Sequence, residues 1–190
     1  LRAEGTELRH CVITLGALAF AHPDVAFRLH HGGRSLLELP AVRTAAQRLP
    51  DLVGADRARA AQPVRFRAGP IEVTGFLLPT RAGRELVVTV NGRVVRDRLL
   101  SAAVNRALRG PSGALEAEAY LALQLPLDAV DVNVHPTKAE VRFSDPGQVM
   151  SAIAQALAPA RQHLHGPMPV RRVIAVGGGE PAVQSRLQFP

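Results

Sequence analysis

An apolar strand that runs into an Asn-Gly pair sets the folding class of this chain. Residues 86–90 are Leu-Val-Val-Thr-Val, and the Asn91-Gly92 pair that follows favours the type I′ turn that joins two antiparallel strands. The return strand begins at Arg93, and Asp97 is placed to cap a helix that runs to about Arg109. Because the hairpin leads straight into a helix, we expect the chain to mix sheet and helix.

The other segments show one or the other periodicity in mixed order. Helices are predicted over residues 6–21, 41–49 and 145–163, and strands over 24–31, 35–39, 64–67, 71–77 and 117–125. A further pair of strands is predicted on either side of Pro136-Thr137, and residues 79–84 are predicted to form a loop. Residues 51–62 are polar and arginine-rich and are assigned neither to a helix nor to a strand. This order predicts an α+β fold, in which a curved mixed sheet carries helices mainly on one face.

The single cysteine, the short apolar runs and the missing motifs limit the cellular location and the kinds of site that we expect. A single cysteine, Cys11, cannot form an internal disulfide, so we expect a reducing, cytoplasmic location. The longest apolar run, residues 11–21, is about half the roughly 20 residues that a membrane span needs, so we expect no membrane contact. Seven scattered histidines lack the spacing of a metal site, and no phosphate-binding loop or nucleophile motif is present. The sequence therefore predicts no metal and no self-contained active site.

The positive charge of the chain is concentrated in one stretch. The formal net charge is +7, yet residues 81–109 carry seven arginines against Glu85 and Asp97, a surplus of five in 29 positions. Residues 110–160, by contrast, carry Lys138 and Arg142 against six acidic residues. A local surplus of this kind favours a polyanionic partner.

The predicted helix after Asp97 has a cationic face. At about 100° per residue, Arg98, Asn105 and Arg109 fall in one arc, while apolar residues fill the opposite side. Most charged helix faces are merely solvated, and that interpretation stays open. The charge of the adjoining hairpin favours DNA instead, bound through its phosphates because the region has no aromatic residue to stack on a base. The arginines singled out for this contact are Arg93, Arg96, Arg98, Arg106 and Arg109.

One lysine stands alone among the basic residues. Of the 23 Lys and Arg residues, 22 are arginine, and the exception is Lys138. A lysine carries a compact ammonium that can enter a phosphate cluster as a point charge. His135 precedes Pro136 and is held extended, so Lys138 is expected to leave a stiff bend on the polar face of its strand. From spacing alone, a solvent-exposed lysine paired with Glu140 or Asp131 is the more frequent outcome.

Three stretches together resemble the MutL family of DNA mismatch repair proteins. Residues 131–143 read DVNVHPTKAEVRF, which matches the family signature nearly letter for letter around His-Pro-Thr-Lys. Residues 90–98, VNGRVVRDR, are similar to a hairpin of the family, and residues 1–7, LRAEGTE, to the helix after its nucleotide-binding domain. The resemblance covers about residues 1–160.

The resemblance implies a division into domains. In the family, an ATPase domain similar to those of gyrase, heat-shock chaperones and histidine kinases precedes a transducer domain with the fold of domain two of ribosomal protein S-five. This chain then resembles the transducer without the ATP-binding core, and since it opens at Leu1 in mid-pattern we expect a piece of a longer protein. Residues 1–22 would be the linking helix, 23–163 the transducer and 164–190 a disordered Pro/Gly-rich linker. The parent is expected to bind ATP with Mg²⁺, whereas this piece alone is expected to bind no cofactor and to hydrolyse no ATP.

The resemblance also implies roles for individual residues and partners. The family lysine of the His-Pro-Thr-Lys turn corresponds to Lys138, which implies a catalytic and cofactor-binding residue that reaches the γ-phosphate of ATP across the domain boundary. The arginine that ends the Arg-Asp-Arg motif, Arg98, is implicated in DNA binding. The implied partners are DNA, a MutS-type mismatch recognition protein and, in the parent, a second copy in a homodimer. The implied function is to relay mismatch recognition to downstream excision.

A short motif near the end of the chain resembles the QxxLxF peptide with which bacterial repair and replication proteins dock on the sliding clamp. Its residues are Gln184, Leu187 and Phe189. Motifs of this length arise often by chance in linkers, so the clamp is retained only as an additional candidate partner.

Two other functions fit parts of the sequence. A type II topoisomerase transducer has a related architecture, but its lysine lies in a Gln-Thr-Lys turn rather than in His-Pro-Thr-Lys. A non-catalytic RNA-, DNA- or ribosome-binding module of the same fold accounts for the basic hairpin and helix equally well, and in it Lys138 has no phosphate to contact. Replacing Lys138 in the parent protein separates this module from the ATPase interpretation.

Overall fold

Helices and strands follow one another in mixed order along the chain, of which the computed structural model describes residues 2–79, 85–110, 117–131 and 141–164. The helices are α1 (Arg2–Ala21), α2 (Ala45–Val53), α3 (Ala55–Ala60), α4 (Arg98–Ala107) and α5 (Pro146–Leu164). The strands are β1 (Phe27–His31), β2 (Arg34–Leu39), β3 (Gln62–Ala68), β4 (Ile71–Pro79), β5 (Leu86–Val90), β6 (Arg93–Val95), β7 (Ala117–Gln124), β8 (Val130–Asp131) and β9 (Arg142–Phe143).

Strands β3 to β7 form one mixed sheet in the order β3-β4-β7-β5-β6. Strand β7 pairs antiparallel with β4 and parallel with β5, so the last of these strands in the chain lies at the centre of the sheet. Nearly all of its residues are buried, as expected for a strand that is covered on both faces. The pairs β1-β2 and β8-β9 form two separate antiparallel units.

Gly75 permits the close pairing of β4 with β7. Its φ is 147°, a backbone conformation that residues with a side chain rarely adopt. A Cβ at this position would collide with the carbonyl oxygen of Tyr120 on β7. The register of the two central strands therefore depends on a residue without a side chain.

The larger hydrophobic core lies between the sheet and the helices α4 and α5. Val73 of β4, Leu121 of β7, Val104 of α4 and Ile153 of α5 are each fully buried in it. Burial of one such side chain contributes about 1.5–3 kcal/mol of hydrophobic stabilisation. This core holds α4 firmly against the sheet.

A smaller core covers part of the opposite face of the sheet. Phe20 of α1 and Leu49 of α2 pack there against Leu78 and Tyr120. The rings of Phe20 and Tyr120 meet edge to face, with their centroids 5.4 Å apart. Helix α1 is thus packed directly on the sheet.

Arg48 ties α2 to the segment that follows α1. Its side chain is completely buried, and its Nη2 donates hydrogen bonds to the carbonyl oxygens of Pro23 and Val25 at 3.0 and 3.1 Å. Its Nη1 forms an ion pair with Asp51 at 3.3 Å. A guanidinium in this setting is a structural crosslink, and the sequence pattern did not predict it.

The α+β class and the mixed sheet with its larger core on one face confirm the fold expected from the sequence. The predicted helix over residues 41–49 was wrong in its bounds. Thr44 is the N-cap, since its Oγ1 accepts a hydrogen bond from the N–H of Gln47 at 3.3 Å, and the helix continues past Pro50 to Val53. The segment that indicated nothing definite contains α3, and the predicted first strand begins only at Phe27.

Of the two strands predicted on either side of Pro136-Thr137, the structure describes the start of the first, β8, and the end of the second, β9. Asp131 pairs with Arg142, and Val130 with Phe143. Val130 and Phe143 are buried while Arg142 is exposed, so the apolar and the charged side chains lie on opposite faces of this strand pair. The loop was predicted to begin at Pro79 and the linker at Leu164, but Pro79 is the last residue of β4 and Leu164 the last residue of α5. Residues 132–140, 80–84 and 165–190 lie outside the described residues. The predicted site residues in this group are Lys138, Gln184, Leu187 and Phe189.

Candidate nucleic-acid interface

The β5-β6 hairpin turns at the Asn-Gly pair as predicted. Asn91 has φ 49° and Gly92 has φ 78°, the two positive values that a type I′ turn requires. The Asn91 side chain donates to the carbonyl oxygen of Leu125 at 3.0 Å and accepts from the Leu125 N–H at 2.9 Å. Because the turn is bonded to the end of β7, the position of β6 and its arginines is fixed relative to the sheet.

Asp97 sets the corner between β6 and α4. Its Oδ1 accepts a hydrogen bond from the N–H of Leu100 at 2.9 Å, and the hydroxyl of Ser101 donates to its carbonyl oxygen at 2.7 Å. Asp97 is buried, and Leu100 beneath it is almost fully buried. The arginines on either side, Arg96 and Arg98, are therefore held at a rigid corner.

All five predicted DNA-contacting arginines are exposed, on β6, at this corner, on α4 or just after α4, whereas Leu100 and Val104 on the apolar face of α4 are buried. The exposed side chains are Arg93, Arg96, Arg98, Arg106 and Arg109. Arg96 donates a hydrogen bond from Nη2 to the Oγ1 of Thr14 on α1 at 3.2 Å. Within the described ranges, Arg93, Arg98 and Arg106 form no ion pair. Their charge is therefore not neutralised by that part of the chain.

The end of α4 is braced by a residue that sequence reasoning missed. The Nη1 of Arg161 on α5 donates to the carbonyl oxygens of Ala107 and Arg109 at 3.1 and 2.8 Å. The last carbonyls of a helix have no partner within it, and here a guanidinium supplies one. No local signal could have revealed this contact, because 52 residues separate Arg161 from Arg109.

A groove of about 410 Å³ runs between the hairpin and α4. Arg96 and Arg98 line it together with Ser101, Ala102 and Asn105 of α4. Asp97 and four apolar residues complete the lining, and the apolar ones are Leu86, Val88, Val95 and Leu100. The groove, like the exposed arginines, lies at the position where charge is most concentrated in the sequence.

A second cavity, of about 420 Å³, lies between α1 and the sheet, and Arg96 borders it too. Arg57 of α3 forms an ion pair with Glu118 of β7 at 2.6 Å beside this cavity. Burial raises the pKa of the nearby Glu85 carboxyl, and Glu118 raises it further, against the opposing effects of a hydrogen bond with Tyr120 and the charge of Arg57. Burial likewise raises the pKa of the Tyr120 hydroxyl. The sequence did not single out this group of ionisable residues, since Arg57 and Glu118 are 61 positions apart.

Two further observations concern the described ranges alone. No three His, Cys, Asp or Glu side chains come together there in the way that a metal ion requires. No helix in those ranges is both long and apolar enough to cross a membrane.

Comparison with known proteins gives concordant matches. The family described as "DNA mismatch repair protein, C-terminal domain" matches residues 49–162. The DNA mismatch repair protein MutL of Ralstonia nicotianae is 42% identical over 166 residues, which are 84% of this chain and 26% of that protein. This chain spans about a quarter to a third of the length of the curated relatives that it matches.

Solved structures share the fold at low sequence identity. A crystal structure of the N-terminal domain of a DNA repair protein superposes with a TM-score of 0.66 at 19% identity, covering 80% of this chain and 53% of that one. The Aquifex aeolicus MutL ATPase domain complexed with ADP superposes with a TM-score of 0.51 at 16% identity, covering 79% of this chain and 48% of that one. At these identities the likeness concerns the fold alone.

Proposed function

Because this chain belongs to the MutL family of DNA mismatch repair proteins, we propose that it is the transducer domain of a MutL-type ATPase and that it binds the DNA backbone. In this proposal the parent protein binds ATP with Mg²⁺, dimerises, and relays mismatch recognition by a MutS-type protein to excision. The two activities assigned to the residues of this chain are DNA contact and nucleotide sensing.

The observation that carries the DNA contact is the set of exposed arginines at the β6-α4 corner. Three of the five, Arg93, Arg98 and Arg106, form no ion pair within the described residues, so binding a phosphate there breaks no such pair. No aromatic residue lies between Leu86 and Gly110, and base stacking from this surface is therefore absent. Contact with phosphates alone is sequence-independent and depends steeply on salt.

The test is the salt dependence of duplex DNA binding by the full-length protein. Arg98→Ala is expected to weaken binding and to lower the slope of log affinity against log salt by about 0.9, the contribution of one phosphate contact on duplex DNA. Arg65→Ala is the matched control, because Arg65 is an exposed arginine on β3, at the opposite edge of the sheet. Equal losses in the two variants would mean that net charge alone, and not this corner, governs binding.

Nucleotide sensing is proposed for Lys138. The support is the His-Pro-Thr-Lys signature, and Asp131 and Arg142, the described residues on either side of it in the sequence, pair with each other. ATP would supply the γ-phosphate, and a charge-assisted hydrogen bond from the Lys138 ammonium would contribute about 1.5–3 kcal/mol. Because ADP lacks that phosphate, the bond would favour domain closure only in the triphosphate state.

Replacing Lys138 in the full-length protein tests this role. Lys138→Ala is expected to lower ATP turnover and to abolish the ATP-dependent closure of the dimer, measured by phosphate release and by energy transfer between labelled subunits. DNA binding without nucleotide should be unchanged. A non-catalytic nucleic-acid-binding module predicts no change in any nucleotide response, so normal turnover and closure in the variant would support that alternative.

The tail motif leads to a separate, weaker proposal of sliding-clamp binding. Its support is the order of Gln184, Leu187 and Phe189. Capture of the purified clamp by the full-length protein with and without residues 181–190 tests it. Equal capture by both forms would exclude a contribution of the motif.

A further inference from the structure

The cavity between α1 and the sheet combines ionisable groups with apolar walls that solvent can reach. Its volume of about 420 Å³ is within the range of small-ligand sites, roughly 300–1,000 Å³. Five apolar residues of the lining are half-buried or exposed, namely Val12, Ile13, Leu52, Leu86 and Val94. The ionisable residues of the lining are Arg9, Asp51, Arg57, Glu85, Arg96, Glu118 and Tyr120. Apart from Arg96, none of these residues has a role in the functions proposed above.

Two carboxylates and one guanidinium come together on the buried side of the cavity. Glu118 is buried, and the guanidinium of Arg57 is bonded to it at 2.6 Å. Glu85 is half-buried, forms a hydrogen bond with the neutral hydroxyl of Tyr120, and has no ion pair within the described ranges. An ionised carboxylate can accept about four hydrogen bonds, of which a hydroxyl supplies one. Glu85 therefore keeps acceptor sites and a charge that Arg57, bonded to Glu118, balances only in part.

Folding alone does not account for a carboxyl group at position 85. Burial and the charge of Glu118 raise the pKa of Glu85, so its ionisation near neutral pH reduces the stability of the fold. A glutamine would have a similar size and would also hydrogen-bond Tyr120, without that loss of stability. A carboxyl in such a position within a cavity is typical of a binding site, and a cation placed beside it would offset the unfavourable charge.

The exposed side of the cavity has the opposite charge. Arg9 of α1 and Arg96 of β6 are both exposed there, and Arg96 donates a hydrogen bond to Thr14. Asp51 also borders the cavity, but it is paired with Arg48 at 3.3 Å. Two guanidinium groups at this side disfavour a ligand that is only cationic, and they favour a ligand with an anionic group at its outer end. The lining thus matches a cationic head, an apolar stem and an anionic end.

We propose that the cavity between α1 and the sheet binds a small zwitterion of the ω-amino acid or ω-guanidino acid class. The cationic head is bound by Glu85, the methylene stem packs on Val12 and Leu86, and the carboxylate of the ligand faces Arg9 and Arg96. This inference goes beyond the proposed DNA contact and nucleotide sensing, and it rests on neither.

Three compounds with the same carbon chain test the charge pattern. The zwitterion is ε-aminocaproate, and the analogues hexylamine and caproate each lack one of its two charges. In calorimetric titration of the full-length protein, ε-aminocaproate is expected to bind at least roughly tenfold more tightly than either analogue, because each analogue loses a charge-assisted contact. Its affinity should increase as the pH rises from 4.5 through the raised pKa of Glu85, since the head requires the ionised carboxylate.

Two variants with matched controls test the location. Glu85→Gln removes the charge at constant size and is expected to weaken binding at least roughly tenfold and to remove its pH dependence. The control is Glu72→Gln, because Glu72 is a half-buried glutamate of β4 outside the cavity. Val12→Phe fills the cavity without a change of charge and should also weaken binding. Its control is Val25→Phe, at an exposed valine outside the cavity, and circular dichroism reports whether each variant is folded.

The outcomes either support or refute the site. Preference for ε-aminocaproate, together with weaker binding in Glu85→Gln and Val12→Phe but not in their controls, supports it. It is refuted if the full-length protein does not bind ε-aminocaproate, if the three compounds bind equally, or if either folded variant binds as its control does. Because the titrations contain neither DNA nor nucleotide, such a failure leaves the proposed function untouched.

Discussion

Asp97 is the single residue that fixes the junction between β6 and α4. Its side chain caps α4 through Leu100, and its carbonyl oxygen accepts from Ser101, while the chain on either side projects Arg96 and Arg98 outward. An arginine in the first turn of a helix is mildly disfavoured by the helix dipole, so Arg98 itself contributes little to helix stability. The Asp97 cap therefore stabilises the start of α4, where the exposed Arg98 is located.

We expect Asp97→Ala to reduce the free energy of unfolding by about 0.5–2 kcal/mol, the range for loss of an N-cap. The amide of Leu100 should also exchange faster with solvent deuterium, because it loses its acceptor. Urea denaturation and hydrogen exchange measure these effects. Asp97→Asn keeps an acceptor at the same position and should lose clearly less, and an equal loss in both variants would show that the charge, not the cap, matters.

Glu85 gives a prediction of pH dependence. Burial raises its pKa above the ordinary value of 4.5, so above that pH the folded state holds this proton more tightly than the unfolded state does. The free energy of unfolding contributed by this group therefore falls as the pH rises from 4.5 through the raised pKa. Glu85→Gln, which is neutral throughout, is expected to be more stable than the natural chain at pH 8 and equal to it near pH 4. Denaturation midpoints across this range measure the difference, and a constant offset would contradict the assignment.

Single residues show where sequence reasoning ends. The exposed arginines at the corner were predictable because exposure follows from helix periodicity and from the position next to a turn. Buried charges were not, because Arg48 and the Arg57–Glu118 pair depend on partners far away in the chain. Periodicity assigns a side chain to a face, but it does not reveal a distant partner on that face.

At the scale of elements, α4 is held at both ends by different means. A local cap fixes its start, and Arg161 of α5 supplies donors to the carbonyls at its end. The buried face between them packs against the larger core through Leu100 and Val104. The cationic face is thus carried by a helix that cannot easily rotate or fray.

Local signals predicted the elements well and their arrangement poorly. The Asn91-Gly92 turn and the Asp97 cap were recognised because each depends on residues within a few positions. The start of α2 was predicted wrongly because Thr44 caps the helix, which therefore begins at Ala45 rather than at Ala41, and hydrophobic spacing does not reveal a cap. The central position of β7 was not predictable, because strand order depends on which faces fit together in the folded chain.

The β4-β7 pairing predicts the behaviour of Gly75. Gly75→Ala would force a methyl group against the carbonyl of Tyr120 at a backbone conformation unsuited to alanine, and we expect a loss of about 3 kcal/mol or more in the free energy of unfolding. Urea denaturation measures it. Gly16→Ala in α1 is the control, because its Cβ has room and alanine favours a helix, so that variant should be unchanged or more stable by up to about 1 kcal/mol.

At the scale of the whole molecule, the chain corresponds to only part of its relatives' length, and its activities have to be divided accordingly. We expect the purified chain of 190 residues to show no ATP turnover, because in the proposal it supplies Lys138 and no other contact to the nucleotide. Phosphate release measured with and without DNA tests this expectation. Turnover that persists after removal of contaminating ATPases and disappears in Lys138→Ala would overturn it.

The candidate interface is in contact with α1 as well as with the sheet and α4. Arg96 borders both cavities and donates to Thr14 of α1, so the helix at the start of the chain touches the same corner that carries the DNA-contacting arginines. A displacement of α1 would therefore change the hydrogen bond between Thr14 and Arg96, and with it the position of the Arg96 side chain. Neither the hairpin nor α1 alone would indicate this connection.

The central position of β7 has a consequence during synthesis on the ribosome. The hairpins β3-β4 and β5-β6 emerge first, but no hydrogen-bonded partner joins β4 to β5 until β7 has left the exit tunnel. At translation speeds of about 5–20 residues per second, the nascent chain spends an interval of seconds with two unpaired strand edges. During that interval the backbone N–H and C=O groups along these edges are open to pairing with another chain.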